Sequence, residues 1–414
     1  MCIRDRKITI NETKIRETAK KYGTPFHIYN EKVILDRLNT LISSFDWSEF
    51  KEFFAIKANP NPHILKIMKD NNCGVDAATV TEIKLAEEVG FSGEDIMFTS
   101  NLTTLEAYKY AVNKGAIINI DYAPDIYELF ENGIIPKNIC FRLNPGSIEN
   151  EIMGDSKESK FGSTAEQIKN AVTFLKENNI RSMGLHTMVV SNENDPKIFG
   201  EYTEMLFEFA REIISDYGVE IDFINIGGGI GIPYEKEQVV DVKSISEEVK
   251  ASYNKVLKAN GLESKIFMES GRYITGESGY LVTEIIKEKE TYKKYLGVDA
   301  SMSDLMRPAM YRSYHHLTNI DAEARGEDEF EEYDVIGSLC ENNDKFAIDR
   351  KLPKSRLGDL IVIHDTGAHG HAMGFNYNGM LRNGEFLYTT AGEVKQIRRD
   401  ENFEDYTTTI IGGY

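Results

Sequence analysis

Phe53-Phe54-Ala55-Ile56-Lys57-Ala58-Asn59 decides the fold: a short apolar run that ends abruptly in a lysine and a polar turn. Seven more runs of four to nine residues follow it, at Gly74–Ala78, Asp95–Thr99, Ala116–Ile120, Asn138–Asn144, Ser182–Val190, Asp222–Ile226 and Lys265–Glu269. Each is rich in Val, Ile or Phe, as strands buried on both faces are. Helical patterns fill the gaps. Val80, Ile83, Leu85 and Val89 recur at near-helical spacing before Gly90, Thr104 opens a second helix, and Thr164-Ala-Glu-Gln167 is a capping box opening a third. Eight strands alternating with helices predict an α/β fold, a (β/α)8 TIM barrel.

After about residue 276 the pattern changes to short β-rich runs between turn residues, such as Gly279–Glu290, Asp334–Cys340 and Gly358–Gly367. These predict a C-terminal antiparallel β-barrel or sandwich domain. The expected domains are thus 31–275 for the barrel, and 276–414 with the N-terminal segment 1–30 for the β-domain. Asp321–Asp334 carries eight acids and one Arg, and reads as a solvated loop.

The 414 residues carry a net charge of −19, with 41% hydrophobic and 28% charged residues. That acid excess disfavours a nucleic-acid backbone or an anionic membrane surface, both of which want clustered Lys and Arg. It leaves room for an anionic small molecule. No apolar run reaches membrane-spanning length, and Met1–Arg6 lack the apolar core of a secretory signal. Those six residues fit nothing that follows, as a frayed arm or a foreign extension would. Cys2, Cys73, Cys140 and Cys340 show no paired or metal-ligand spacing, and no metal is expected. A reducing, cytoplasmic location follows.

Barrel enzymes do their chemistry at the C-terminal ends of the strands. Here those positions hold Lys57, Asp76, Arg142, His186, Gly227-Gly228-Gly229 and Glu269-Ser-Gly271-Arg272. Lys57 follows an apolar run, where desolvation would make its amine a nucleophile toward carbonyls; a lysine snorkelling from a strand end is the plainer reading. Three glycines after strand seven offer consecutive N–H groups where barrels hold phosphates. A lysine nucleophile, a phosphate cradle and a carboxylate for a ring nitrogen make the constellation for pyridoxal 5′-phosphate (PLP).

The chain resembles the fold-type III PLP-dependent decarboxylases, and within them the diaminopimelate decarboxylases. The likeness rests on Tyr22–Asn30, Ala55–Asn59, Gly74–Ala78, Arg142–Pro145, Ser159-Lys-Phe-Gly162, Gly227–Gly229, Glu269–Arg272, Arg307–Tyr311, Cys340–Asp344, Gly367-Ala-His369 and Tyr377-Asn378. The resemblance implies that Lys57 carries the cofactor with Asp76 beside it. It places Gly227, Gly228, Gly229, Arg272 and Tyr377 around the phosphate and Glu269 on the pyridine nitrogen, with Gly271 and Ser191 also at the cofactor. Arg272, Arg307 and Tyr311 would hold a distal carboxylate, Glu341 a distal ammonium, and Cys340 would return the proton after CO2 leaves. A homodimer with shared active sites and an amino-acid substrate are implied, with meso-2,6-diaminopimelate and L-lysine as substrate and product.

Three departures bear on the substrate. Gly184-Leu-His186-Thr-Met188 replaces a His-x-His pattern, so Met188 stands where an imidazole usually stacks on the cofactor, and His186 has no settled role. Ser270 stands where proline is usual, and His369 replaces a tyrosine. His364, His369 and His371, with His315-His316 upstream, are expected to line the substrate pocket. Other readings are decarboxylation of D-lysine, D-ornithine or carboxynorspermidine, amino-acid racemisation, or a cofactor-free regulatory homologue.

Overall fold

A computed structural model describes residues 7–146, 149–150, 154–155, 157–235 and 237–412. Met1–Arg6, and Cys2 with them, lie outside the described residues. The chain divides into two compact units, the first holding Arg37–Ile232 and Val239–Tyr273. The second holds the described residues up to Asp36, the excursion Pro233–Gln238, and the chain from Ile274 onward.

The first unit is a closed barrel of eight parallel strands: Phe50–Ala55, Gly74–Ala77, Ile96–Ser100, Ile117–Ile120, Asn138–Arg142, Ser182–His186, Glu220–Asn225 and Lys265–Met268. The eighth strand pairs with the first, closing the ring. The sixth strand ends at His186, short of the expected Val190, and Lys57 sits in a 3₁₀ turn, Ile56–Ala58, just past the first. Two helices start where their caps predict, at Thr104 and Thr164, and Thr79 caps the helix before them. Thr79, Thr104 and Thr164 each accept an N–H of the first turn, and Gly90 stops the first of the three at φ 95°.

Alternate residues point into the barrel and build two layers. The floor is Phe53, Met97, Ile117, Cys140, Phe223 and Phe267, one buried apolar cluster. Phe223 stacks on Phe267 at 4.5 Å between ring centroids. Gly184 makes room for this stack, since a Cβ there would come within 2.2 Å of the Phe223 ring. Each buried ring contributes on the order of 2–3 kcal/mol through removal of apolar area from water. Two residues further along most strands, the same face turns polar. Asn119, Arg142, His186, Asn225 and Glu269 are all buried there, and they bring polar chemistry to one end of an apolar floor.

The second unit is a nine-stranded sheet. Phe26–Asn30 lies at its centre, antiparallel to Gly279–Glu290 and parallel to Gly384–Tyr388. Along Gly279–Glu290, Leu281 and Ile285 feed one apolar cluster, while Tyr280 and Val282 feed another. Both faces of that strand are therefore covered. The antiparallel expectation needs correction: the sheet is mixed, with a second parallel pair between Lys294–Val298 and Phe330–Ile336. Parallel partners cannot be joined by a tight turn, so turn residues in the sequence carry no trace of them.

The acidic stretch is also less solvated than its composition suggests. Asp321 lies in the helix Ile320–Ala324 and accepts the Leu360 N–H at 2.7 Å. Asp334 is buried in the strand Phe330–Ile336, between Lys293 at 3.2 Å and Lys345 at 3.1 Å. Among the described residues, no helix is long and apolar enough to cross a membrane.

Candidate active site

Glu269 is the centre of the polar layer. It is 5% exposed, and its Oε2 lies 3.3 Å from both His186 Nε2 and Asn225 Nδ2. Burial pushes its carboxyl up, but His186, Lys57 and Arg142 together hold it well below the usual carboxylate range. His186 is fully buried, and burial drives its pKa down. Its Nδ1 accepts from the Asn119 amide at 2.9 Å, so the neutral ring carries its proton on Nε2, facing Glu269. The pair is thus a neutral imidazole behind an ionised carboxylate.

Asp76, on the second strand, is 3% exposed, and its Oδ1 has no hydrogen-bond partner in the described structure. Burial and the Glu269 charge push its pKa well up, against Lys57 and a Thr99 hydroxyl. Lys57 itself is exposed, while Ile56 and Ala58 on either side are buried. The expected burial of its amine is therefore corrected: the 3₁₀ turn rolls the side chain out of the apolar run. Its charge still reaches Asp76, Glu82 and Glu269.

The glycine turn is built as a turn of that kind must be. Gly227 and Gly229 have φ of 75° and 86°, in the left-handed region that a side chain disfavours. A Cβ on Gly227, Gly228 or Gly229 would lie 2.5, 2.4 or 2.3 Å from a backbone oxygen of Thr187, Glu269 or Val190. Asn225, which the sequence reading missed, ties this turn to Glu269. Its Oδ1 accepts the Gly227 N–H at 2.8 Å, while its amide reaches Glu269 Oε2 and Met97 Sδ, the latter at 3.1 Å. Met188 is brought to the same turn, its sulfur 3.3 Å from the Gly228 nitrogen and accepting that N–H. Ser191 follows it, partly buried. Gly271 lets the end of strand eight pack on the lysine turn, for a Cβ there would lie 2.6 Å from Ala58 Cβ. Arg272 opens the short helix Arg272–Thr275.

Arg142 pairs with Asp121 at 3.3 Å and lies over the Phe161 ring at 4.5 Å. Asn144 donates to the Phe161 carbonyl at 3.0 Å. The Ser159–Gly162 segment is thereby held at the end of strand five.

The second unit brings together two further sets of candidates. Cys340 and Glu341 are both exposed, and the Cys340 N–H donates to Asn378 Oδ1 at 2.7 Å, so the Tyr377-Asn378 turn sits against the cysteine. Buried Asp344 fixes this segment by accepting the Met302 N–H at 2.6 Å and the Leu339 N–H at 2.8 Å. Arg307 opens the short helix Arg307–Tyr311; it is 7% exposed, donates to Ser313 Oγ at 3.1 Å and stacks 5.3 Å over the Tyr234 ring. Tyr311, at the other end of that helix, is 58% exposed.

The histidines are packed into this unit. His315, His364 and His371 are all buried. His315 bonds the His364 carbonyl, His364 the Thr318 hydroxyl, and His371 the Asn383 carbonyl. His369 alone of the run is partly exposed, at φ 56°. Among the described residues, no three His, Cys, Asp or Glu gather as metal ligands would.

Residues 31–276 match the family described as pyridoxal-dependent decarboxylase, pyridoxal binding domain. Protein TabA of Pseudomonas amygdali pv. tabaci is 39% identical, over 95% of this chain and 93% of its own length. A diaminopimelate decarboxylase of Methanothermobacter thermautotrophicus is 34% identical, over 94% and 92%. The crystal structure of the M. jannaschii diaminopimelate decarboxylase in complex with L-lysine superposes with a TM-score of 0.90 at 29% identity, over 100% of this chain and 98% of that one.

The barrel mouth suits a pyridoxal phosphate. Glu269 is an ionised carboxylate able to face a protonated pyridine nitrogen, and Asp76 Oδ1 is a buried acceptor still lacking a donor. The glycine turn lies at the end of strand seven, but the expected row of open N–H groups needs correction: Gly227 N–H is taken by Asn225 and Gly228 N–H by Met188. Lys57 extends from the adjoining turn, free of the apolar wall. The cofactor of this chain is pyridoxal 5′-phosphate, and the chain belongs to the pyridoxal-dependent decarboxylases.

Proposed function

We propose that this enzyme decarboxylates meso-2,6-diaminopimelate to L-lysine and CO2, working as a cytoplasmic homodimer with shared active sites. The observation that carries the reaction class is Glu269, an ionised carboxylate held inside the barrel mouth next to Lys57 and Asp76. Likeness to diaminopimelate decarboxylases over nearly the whole chain supports the substrate.

When bound, the cofactor supplies an electron sink for the pair left behind as CO2 departs. Lys57 would hold it covalently. Glu269 would keep a proton on the pyridine nitrogen, and His186, neutral and backed by Asn119, would hold Glu269 in place without adding a charge. Gly227, Gly228, Gly229, Arg272 and Tyr377 would take the phosphate, with Gly271 and Ser191 also at the cofactor, and Asp76 and Met188 would flank the ring. Arg272, Arg307 and Tyr311 would grip the distal carboxylate, which Arg can meet bidentately. Glu341 would meet the distal ammonium, with His369 beside the substrate. Cys340 Sγ would give its proton to the α-carbon after the carboxylate leaves, and regain one from solvent. Exposure of Cys340 suits that exchange.

A second reading, decarboxylation of D-lysine, is favoured by Met188. A thioether bonded to Gly228 cannot tune the cofactor as an imidazole would. CO2 release and product chirality from both substrates separate the two. L-lysine and one CO2 per meso-diaminopimelate is the expected result; turnover of D-lysine alone overturns the substrate, and two product enantiomers without CO2 overturn the reaction class.

A further inference from the structure

Glu52 is a buried acid that the proposed chemistry does not use. It lies on the first barrel strand, five residues before Lys57, and is 2% exposed. Its Oε1 accepts the Ser270 N–H at 2.5 Å, and its Oε2 has no partner in the described structure. Ser270 is 1% exposed, and its neighbours are Glu269 on one side and Gly271-Arg272 on the other. A buried N–H must find an acceptor or cost about 1–3 kcal/mol. A proline at position 270 would have no N–H and make no such demand. The serine creates the demand, and Glu52 meets it from the strand that leads to the lysine.

We propose that Glu52 is a positioning residue for the cofactor site: through the Ser270 N–H it fastens the Glu269–Arg272 segment to the strand that carries Lys57. The bond joins the ring-nitrogen partner, a phosphate-side arginine and the lysine anchor into one frame. Gly271, packed on Ala58, completes the same junction from the other side. Glu52 acts here as a hydrogen-bond acceptor. Burial, with the charges of Glu269 and Asp76, pushes its carboxyl well above the usual range against the single opposing Ser270. Glutamine is therefore its closest substitute.

The test is PLP binding to the apo protein, read by titration and by the visible absorbance of the bound cofactor, alongside the thermal midpoint of each apo variant. Measuring cofactor without substrate keeps the outcome separate from the choice of diamino acid. Glu52→Gln should bind within about twofold of wild type with an unchanged spectrum, because the acceptor survives. Glu52→Leu should bind on the order of 10–100-fold more weakly, because the Glu269–Arg272 segment loses its tie to the lysine strand. Its absorbance should also shift, since Glu269 is no longer held in place. Ser270→Pro severs the same bond from the other side, so the double variant should bind no more weakly than the weaker single variant, as coupled sites do. If Glu52→Leu fails to fold, Ser270→Pro carries the test: it should bind PLP on the order of 10–100-fold more weakly, and wild-type affinity in it would overturn the proposal. Wild-type affinity and spectrum in Glu52→Leu would overturn the proposal. So would a Glu52→Gln loss equal to that of Glu52→Leu, or strict additivity in the double variant.

Discussion

Replacing Asn225 with leucine tests whether the polar layer acts as one unit. Asn225 is fully buried and does two jobs: it accepts the Gly227 N–H at 2.8 Å and donates to Glu269 Oε2 at 3.3 Å. Leucine is of similar size, so packing changes little, but both bonds go. The orphaned Gly227 N–H costs about 1–3 kcal/mol, and a bond to a charged group is worth about 1.5–3 kcal/mol. The first loss falls on folding. The second also falls on the cofactor, because it loosens the carboxylate that meets the ring, and about 1.4 kcal/mol is a tenfold change in affinity. Asn225→Leu should therefore lose about 2.5–6 kcal/mol of barrel stability in urea, and bind PLP on the order of 10–100-fold more weakly. Asn225→Asp keeps the acceptor for Gly227 but sets a second carboxyl against Glu269. One of the two must then hold a proton at neutral pH, so this variant should also bind PLP poorly, with affinity falling as the second group ionises. Unaltered PLP affinity in Asn225→Leu would refute the linkage between the glycine turn and Glu269.

Three further outcomes follow from other parts of the molecule. Tyr234→Leu removes the ring under the Arg307 guanidinium, a contact worth about 0.5–2 kcal/mol. KM for meso-diaminopimelate should rise roughly 2–30-fold with kcat nearly unchanged; an unchanged KM would show that the ring does not position the arginine. Gly229→Ala, at φ 86° and with its new Cβ 2.3 Å from the Val190 oxygen, should cost about 2–4 kcal/mol from strain and overpacking, and an unchanged urea midpoint would contradict it. Burial pushes His27 down to about 4 and His371 down to about 3, so both are neutral in the fold and charge first in the unfolded chain. Their contribution is complete above about pH 6.5 and is lost as pH falls from there toward those values, at about 1.4 kcal/mol per pH unit for each. Thermal midpoints between pH 7 and 5 should fall accordingly, with a shallower slope in His371→Gln; a flat profile in the wild type would rule this out.

The barrel was legible because its strands are short, apolar and regularly interrupted, and because Thr104 and Thr164 announce their helices. Lys57 and Glu269 could be picked out because each is a polar residue ending an apolar run, and Asp76 and His186 because each is an ionisable residue set within one. Asn119 and Asn225 could not. Each lies inside a strand, and its role depends on which neighbour shares its face, a matter of register between strands that one sequence does not display. Glu52 precedes the apolar run and drew no reading, and only the pairing of strand one with strand eight gives it Ser270. The parallel pairing of Phe26–Asn30 with Gly384–Tyr388 joins opposite ends of the chain and has no local signal. The partners of the histidine run had no local signal either: His364 bonds Thr318, and His371 bonds Asn383.

The central claim is that the cofactor is anchored on the lysine after the first strand, facing Glu269. Borohydride reduction of the PLP-loaded protein, followed by proteolysis and peptide mass spectrometry, tests it directly. The account predicts one phosphopyridoxyl group per chain, on the peptide containing Lys57, and none in Lys57→Ala. Stoichiometric labelling of another lysine, or cofactor retained equally by Lys57→Ala, would contradict it.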